Sequence, residues 1–194
     1  MKRLEIREIG PEKIINISNR NTTVRMDEYL MSLPKDVIGK IMMDRGAVME
    51  LMGRLKATLN AEYIGVYGGF LNGKLISYVS LAGDKSVTDG SDKAKIPEIQ
   101  IEVLPEYHGQ GFGSELLKRV IRLAHDEFGI DRFKYVVNPV NTVSIALVEK
   151  VGGVLQEPKN YAEEMLLKTY VLSAEVPGVR GEKEEGVTIR YELI

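Results

Sequence analysis

Three glycines, at positions 109, 111 and 113, close the run Leu104-Pro105-Glu106-Tyr107-His108-Gly109-Gln110-Gly111-Phe112-Gly113. Glycine lacks a Cβ, so backbone N–H groups in such a loop can close on a ligand. Placed at the start of a helix, those amides and the helix dipole make an anion site, most simply for phosphate oxygens. Just upstream, Glu98, Gln100 and Glu102 alternate with Ile99, Ile101 and Val103. A strand with that period of two carries both carboxylates on one face. A carboxylate whose pKa is raised by partial burial can act there as a general base. Farther along, Asn141 and Ser144 are spaced like the cap and first turn of another helix.

Two familiar phosphate loops fit poorly. A P-loop ends in Gly-Lys-Ser/Thr, whereas Gly113-Ser114-Glu115 has no lysine. A dinucleotide fingerprint needs a third glycine where Ser114 stands, and it follows a βαβ pattern that this stretch lacks.

The elements that must position these residues can be traced by period and punctuation. Leu4 to Ile9 reads as a first strand ending at Gly10-Pro11. Between Pro11 and Asn60 the period is helical, with Met26, Leu30, Leu33, Val37 and Ile41 on one stripe. Pro34 separates two helices there, with Ser32 a candidate cap. Six of the eight Met lie between 26 and 52, as core filling or as the lining of an acceptor pocket. Residues 63–71 and 74–81 flank Asn72-Gly73, the strongest short hairpin signal. A polar loop, 83–95, leads to the strand of alternating Glu and Ile. Leu116, Leu117, Val120, Ile121, Ala124 and Phe128 then mark a helix that stops at Gly129. Phe133 to Val137 is a strand, and a helix capped by Asn141 buries Ile145, Val148 and Val151. Val154-Leu155, Met165-Leu166-Leu167 and Tyr170-Val171-Leu172 read as the last core strands. The order defines a mixed α/β sandwich.

Composition narrows the function classes. The chain has 194 residues, 44% of them hydrophobic, and a net charge of -2. That is one domain of about 172 residues plus a tail, 173–194, whose three basic residues and five Glu account for the whole net charge. Val187, Ile189 and Tyr191 alternate with polar residues, so the tail can end in a strand. The near-neutral balance argues against a nucleic-acid or anionic-membrane partner. With no Cys, a disulfide, a thiolate zinc site and a cysteine nucleophile are excluded. Two His make a metal site unexpected. The charged start and the lack of an apolar run of about eighteen residues give a cytoplasmic expectation.

The segment from Val103 to Leu117 resembles the acyl-CoA binding signature of the GNAT N-acetyltransferase superfamily, Arg/Gln-x-x-Gly-x-Gly/Ala. Asn138 to Ile145 and Glu149-Lys150-Val151-Gly152-Gly153 resemble its second signature, in a form leaning to the ribosomal-protein-type branch. The resemblance spans about Ile96 to Leu155. It implies a central, mostly antiparallel twisted sheet with helices on both faces and strands splayed at the cofactor. It also implies acetyl-CoA as co-substrate. Its pyrophosphate would lie on His108, Gly109, Gln110, Gly111, Phe112, Gly113 and Ser114. Its pantetheine would lie along the backbone of Ile101, Val103 and Leu104, with Asn141 and Ser144 beside the arm. The acceptor would be a small-molecule amine or a protein N-terminus, and a homodimer is a further expectation.

Three positions depart from the family pattern. His108 stands where Arg or Gln is usual. Val148 replaces a Tyr that protonates the departing thiolate in many members, and Val136 a Glu found in some N-terminal acetylating relatives. The strand face then supplies the base, Glu102 first and Glu98 second. Tyr107 and Tyr161 are candidate acids, and His125 reads as a helix-surface residue. The rival reading is a CoA-binding sensor or interaction module without turnover, motivated by Val148 and Val136.

Overall fold

Asn72 and Gly73 both take positive φ, 52° and 79°. They close a type I′ turn whose twist matches the strands on either side. Those strands are β2 (Tyr63–Leu71) and β3 (Lys74–Ala82), second and third in a seven-stranded sheet. The computed structural model describes residues 4–10, 13, 31–45, 63–83, 96–159 and 161–174. β1 (Glu5–Glu8) pairs antiparallel with β2, and β4 (Glu98–Val103) antiparallel with β3. On the other side β5 (Arg132–Val137) pairs antiparallel with β7 (Lys168–Ser173), which holds the two-residue β6 (Val154–Leu155) at the far edge. The order is β1-β2-β3-β4-β5-β7-β6. The mixed α/β class and the mostly antiparallel sheet are those expected from the sequence.

α2 (Phe112–Phe128) buries Leu116, Leu117, Val120, Ile121 and Ala124 against this sheet, as the helical stripe requires. Each Leu, Val or Ile among them contributes roughly 1.5–3 kcal/mol by leaving water. Gly129 ends the helix in the left-handed region with φ 66°. α3 (Thr142–Lys150) packs beside it and adds Val148 and Val151 to the same core. Leu4 is clamped by α2 from both sides of its peptide unit. Glu115 Oε1 accepts its N–H at 3.0 Å, and Arg119 Nη1 donates to its carbonyl at 2.7 Å. α1 (Lys35–Met43) and α4 (Tyr161–Leu166) form a smaller core of Ile41 and Leu166 with Leu33, Val37 and Tyr161.

Four expectations need correction. Met165 and Leu166 belong to helix α4, not to a strand; Glu163 and Glu164 in its first turn suit the positive helix end. Val154 and Leu155 are a strand, but an exposed edge rather than core, at 62% and 52% exposure. Ser32 does not cap α1: its own backbone is helical, and α1 starts after Pro34 without a side-chain cap. Met31, Met42 and Met43 are exposed, so these three neither fill a core nor line the cleft described below. Residues 14–30, 46–62, 84–95 and 175–194 lie outside the described residues, and with them the other clustered Met, most of the polar loop and the tail strand. Among the described residues no helix is long and apolar enough to cross a membrane.

Candidate active site

The two halves of the sheet meet at one place. β4 and β5 run parallel and pair only at Glu98 with Lys134; Lys134 N donates to Pro97 O at 2.9 Å. From there the strands part, and a cleft of about 720 Å³ opens between residues 100–103 and 135–138. Strand alternation fixes what faces it. Leu104 N donates to Ile76 O across β3 at 2.8 Å, so Leu104 turns its amide toward β3. The N–H and C=O groups of Val103 and Ile101 therefore point the other way, into the gap. His108 confirms the direction for Val103, since its Nε2 donates to Val103 O at 2.7 Å. That bond requires the hydrogen on Nε2.

The glycine loop forms one wall. After a short 3₁₀ turn, Pro105–Tyr107, Gly109 and Gly111 take φ of 72° and 87°, and Gly111 is the N-cap of α2. A Cβ added at either would meet nothing within 4 Å, so the space above the loop is open to a ligand. Gly113 is different: a Cβ there would lie 3.3 Å from Val103 and 3.4 Å from Leu147, so this glycine serves close packing of helix on strand. Glu115, the acidic residue of the first turn, faces Leu4 and Arg119 instead of the loop. Tyr107 lies edge-on to Phe112 and accepts a hydrogen bond from Lys74 Nζ at 3.4 Å. This bond, with that to Glu106, holds the Lys74 pKa above its ordinary value.

Of the expected cofactor residues, Ile101, Val103, His108, Gly109, Gly111, Gly113, Ser114, Asn141 and Ser144 line the cleft together. Leu104 does not. It is 2% exposed, its side chain packs with Ile9, Val66 and Tyr78, and its amide belongs to the ladder. Gln110 and Phe112 also stand outside the lining: Gln110 Nε2 donates to Glu106 O at 2.9 Å, and Phe112 packs on the core. The side chain of His108 braces the loop through Val103 O rather than extending from it.

The two candidate bases separate. Glu102 is half-buried, lines the cleft and sits in register opposite Tyr78. Glu98 does not line the cleft and accepts a hydrogen bond from Gln100 Nε2 at 3.0 Å. It stands at the closed end of the gap, where β4 still pairs with β5. Tyr107 lines the cleft, whereas Tyr161 packs in the α1–α4 core, far from a role as acid. His125 is on the surface, with Nδ1 2.8 Å from Asp131 Oδ1.

On the opposite wall Asn141 caps α3, its Oδ1 accepting from Ser144 N at 3.1 Å. Tyr78, Tyr135, Val136, Val137, Asn138, Val140, Leu147 and Lys150 also line the cleft; of these the sequence reading singles out only Val136 as a site position. Tyr78 depends on the register of β3 with β4, which the hairpin turn does not fix. Tyr135 depends on the register of β5 with β7, which no local signal announces. Burial pushes its pKa up, partly offset by a hydrogen bond with Ser144.

An open parallel seam in an antiparallel sheet thus meets a glycine-capped helix at the mouth of one cleft. Residues 39–153, more than half of the chain, match the model of the Acetyltransferase (GNAT) family. The chain belongs to this family, whose members are N-acetyltransferases. Solved structures with the same fold include an acetyltransferase of the GNAT family from Streptococcus pneumoniae, at 22% identity and TM-score 0.53, covering 88% of this chain and 98% of that one. Another is spermidine N-acetyltransferase from Vibrio cholerae in complex with CoA and spermine, at 18% identity and TM-score 0.55, covering 89% and 96%. A third is a ribosomal L7/L12 alpha-N-protein acetyltransferase in complex with coenzyme A, at 15% identity and TM-score 0.54, covering 89% and 95%. The ribosomal-protein type is thus one of several among the neighbours. No curated protein matches the sequence.

Proposed function

We propose that this chain transfers the acetyl group of acetyl-CoA to a primary amine by direct attack, without an acyl-enzyme. The observation that carries the reading is the cleft itself. Backbone groups of Ile101 and Val103 face a gap that β5 does not fill, and the same gap ends on the Gly109–Ser114 loop at the N-terminus of α2. The gap suits a chain of amides, and the loop suits a pyrophosphate. CoA bound in the two neighbours named above supports the assignment of acetyl-CoA as co-substrate. Bound there, it supplies an activated thioester beside the strand.

The chain's own residues would then divide the work. Amides of residues 109–114 and the α2 dipole hold the phosphates. The amide near Val103 stabilises the oxyanion that forms on the thioester carbonyl. Glu102 removes the proton that the attacking amine must lose, directly or through a water. The departing thiolate is a fair leaving group because thiols are far more acidic than alcohols.

The spermidine N-acetyltransferase and the ribosomal L7/L12 alpha-N-protein acetyltransferase take, by their names, a polyamine and a protein N-terminus. The acceptor proposed here is accordingly a small polyamine-like amine or a protein N-terminus. Calorimetric titration of the full chain with acetyl-CoA tests the cofactor half of the proposal, and absence of binding overturns it. Release of CoA against a panel of polyamines and short peptides with free N-termini tests the rest. Binding without turnover across the panel would return the chain to the class of CoA sensors.

A further inference from the structure

β4 gives the cleft a second polar side chain that the chemistry above does not use. Gln100 and Glu102 both line it from one face of the strand, two residues apart, whereas Glu98 on the same face does not. Glu98 nevertheless sets the direction of its neighbour. A carboxylate only accepts, so the 3.0 Å hydrogen bond to Glu98 Oε1 must come from Gln100 Nε2. The amide nitrogen is thereby committed to the closed end of the seam, and Oε1 is left as an acceptor on the cleft side. Gln100 makes no other side-chain hydrogen bond among the described residues. The β3 neighbours on this face are Tyr78, in register with Glu102, and buried Ser80, in register with Gln100. On β5 the apolar Val136 lines the cleft.

Charge and spacing together select among amines. Glu102 is the sole carboxylate lining the cleft among the described residues, and it matches one ammonium, the one that is to react. A second ammonium would meet only the neutral amide of Gln100. The charge of Glu98 stands outside the cleft, with Lys134 as its register partner. An uncharged N–H is the donor that an amide oxygen satisfies without leaving a charge unpaired. Gln100 and Glu102 are separated by two residues of strand, about 6.4–6.8 Å. An extended peptide repeats at that same pitch, so its α-amine and the N–H of its third residue are equally far apart. On the acetyl-transfer reading above, we propose that the acceptor is a peptide N-terminus lying extended along β4, with its amine at Glu102 and its third-residue N–H on Gln100 Oε1. Gln100 is then the residue that favours a peptide over a polyamine. The contact is to main chain, so it selects peptides as a class and not one sequence.

The test reads binding and needs no turnover. The full chain is saturated with CoA and titrated by calorimetry with four probes: trialanine amide, its analogue N-methylated at the third residue, butylamine and 1,4-diaminobutane. Wild type should bind trialanine amide about tenfold tighter than butylamine, and the N-methyl analogue about 3- to 10-fold more weakly than its parent. Gln100→Leu, at an exposed position, should weaken the parent peptide by the same factor and no longer sense the methyl group. 1,4-Diaminobutane should match butylamine in wild type and outbind it about threefold in Gln100→Glu, which supplies a second charge. A diamine that outbinds the peptide in wild type overturns the proposal in favour of a polyamine. So does a methyl group that costs as much in Gln100→Leu as in wild type, or a diamine that gains nothing in Gln100→Glu. Peptide that does not bind the CoA-loaded chain overturns it as well. Wild type that fails to bind CoA at all instead overturns the acetyl-transfer reading beneath it.

Discussion

The hairpin β2–β3 and the seam β4–β5 are both junctions between neighbouring strands, and they are built on opposite terms. In the hairpin, the register runs from Tyr63 with Ala82 to Leu71 with Lys74, and the turn is set by two residues at positive φ. Nearly every backbone group on the inner edges has a partner. At the seam, one pair joins the strands and the rest of the inner edge of β4 is left open. Open backbone inside a fold is costly unless something satisfies it. His108 satisfies one carbonyl, at Val103. The remainder is offered to a ligand. Stability and binding thus draw on the same chemical groups, spent locally in one junction and withheld in the other.

The contrast can be broken most sharply at Glu102, the ionisable side chain on β4 that lines the opened part of the seam. Glu102→Gln keeps its shape and removes its charge, so kcat should fall roughly 10- to 1,000-fold while calorimetric affinity for acetyl-CoA is unchanged. Glu98→Gln, at the closed end, should leave kcat within about threefold. If the two variants behave alike, the position along the seam does not matter and the proposed base is wrong. Gly111→Val attacks the loop instead. A β-branched residue at φ 87° is strained whatever the space around it, and acetyl-CoA affinity should weaken by at least about 2 kcal/mol. A folded variant with wild-type affinity would remove the loop from the site.

The closed half of the sheet offers a pH test. Burial first, and then the hydrogen bond to Glu149, push the Tyr170 hydroxyl up to about 12. The unfolded chain titrates near the ordinary tyrosine value of about 10. The folded state therefore holds this proton more tightly. Its stabilisation is complete below pH ~10 and is lost as pH rises toward 12. Denaturant titrations across that window should show a decline of about 1–3 kcal/mol in wild type. The decline should be smaller in Tyr170→Phe; an equal one would place the cause elsewhere. The smallest effect expected is that of His108→Ala. It removes one exposed hydrogen bond and should weaken acetyl-CoA binding by about 0.5–1.5 kcal/mol. A loss beyond about 100-fold would mean that the imidazole itself holds phosphate.

What could be read from the chain alone follows the same division between local and distant. The Asn72-Gly73 turn, the stripe of α2 and the Asn141 cap are decided within a few residues of themselves, and the sequence shows them directly. The glycine loop was legible for the same reason, while the left-handed backbone at Gly109 and Gly111 emerges only with the structure. The seam was not legible from pattern, because a strand that stops pairing looks the same as one that continues. That is why the sequence alone does not show that the Leu104 amide, one residue past the opening, is turned to β3, and why it ranks Glu98 and Glu102 without separating them. The apolar run Met165-Leu166-Leu167 was taken for a strand since three residues carry no period, and the helix it closes depends on packing against Ile41. Tyr135 is the clearest loss. Its parity on β5 was plain, yet the wall it forms exists only once α3 lies across it.

The clamp on Leu4 bears on the sign of the field at the loop. Glu115 stands in the first turn of the helix whose amides open toward the cleft, and a carboxylate turned to that mouth would oppose an incoming phosphate. Instead its oxygen is drawn off by the Leu4 amide and by Arg119, 3.5 Å away. Leu4 leads directly into β1, the strand at the outer edge of the sheet, three places from β4. The residue before edge strand β1 is in that sense a charge lock: it occupies a glutamate that would otherwise stand against the positive end of the helix dipole.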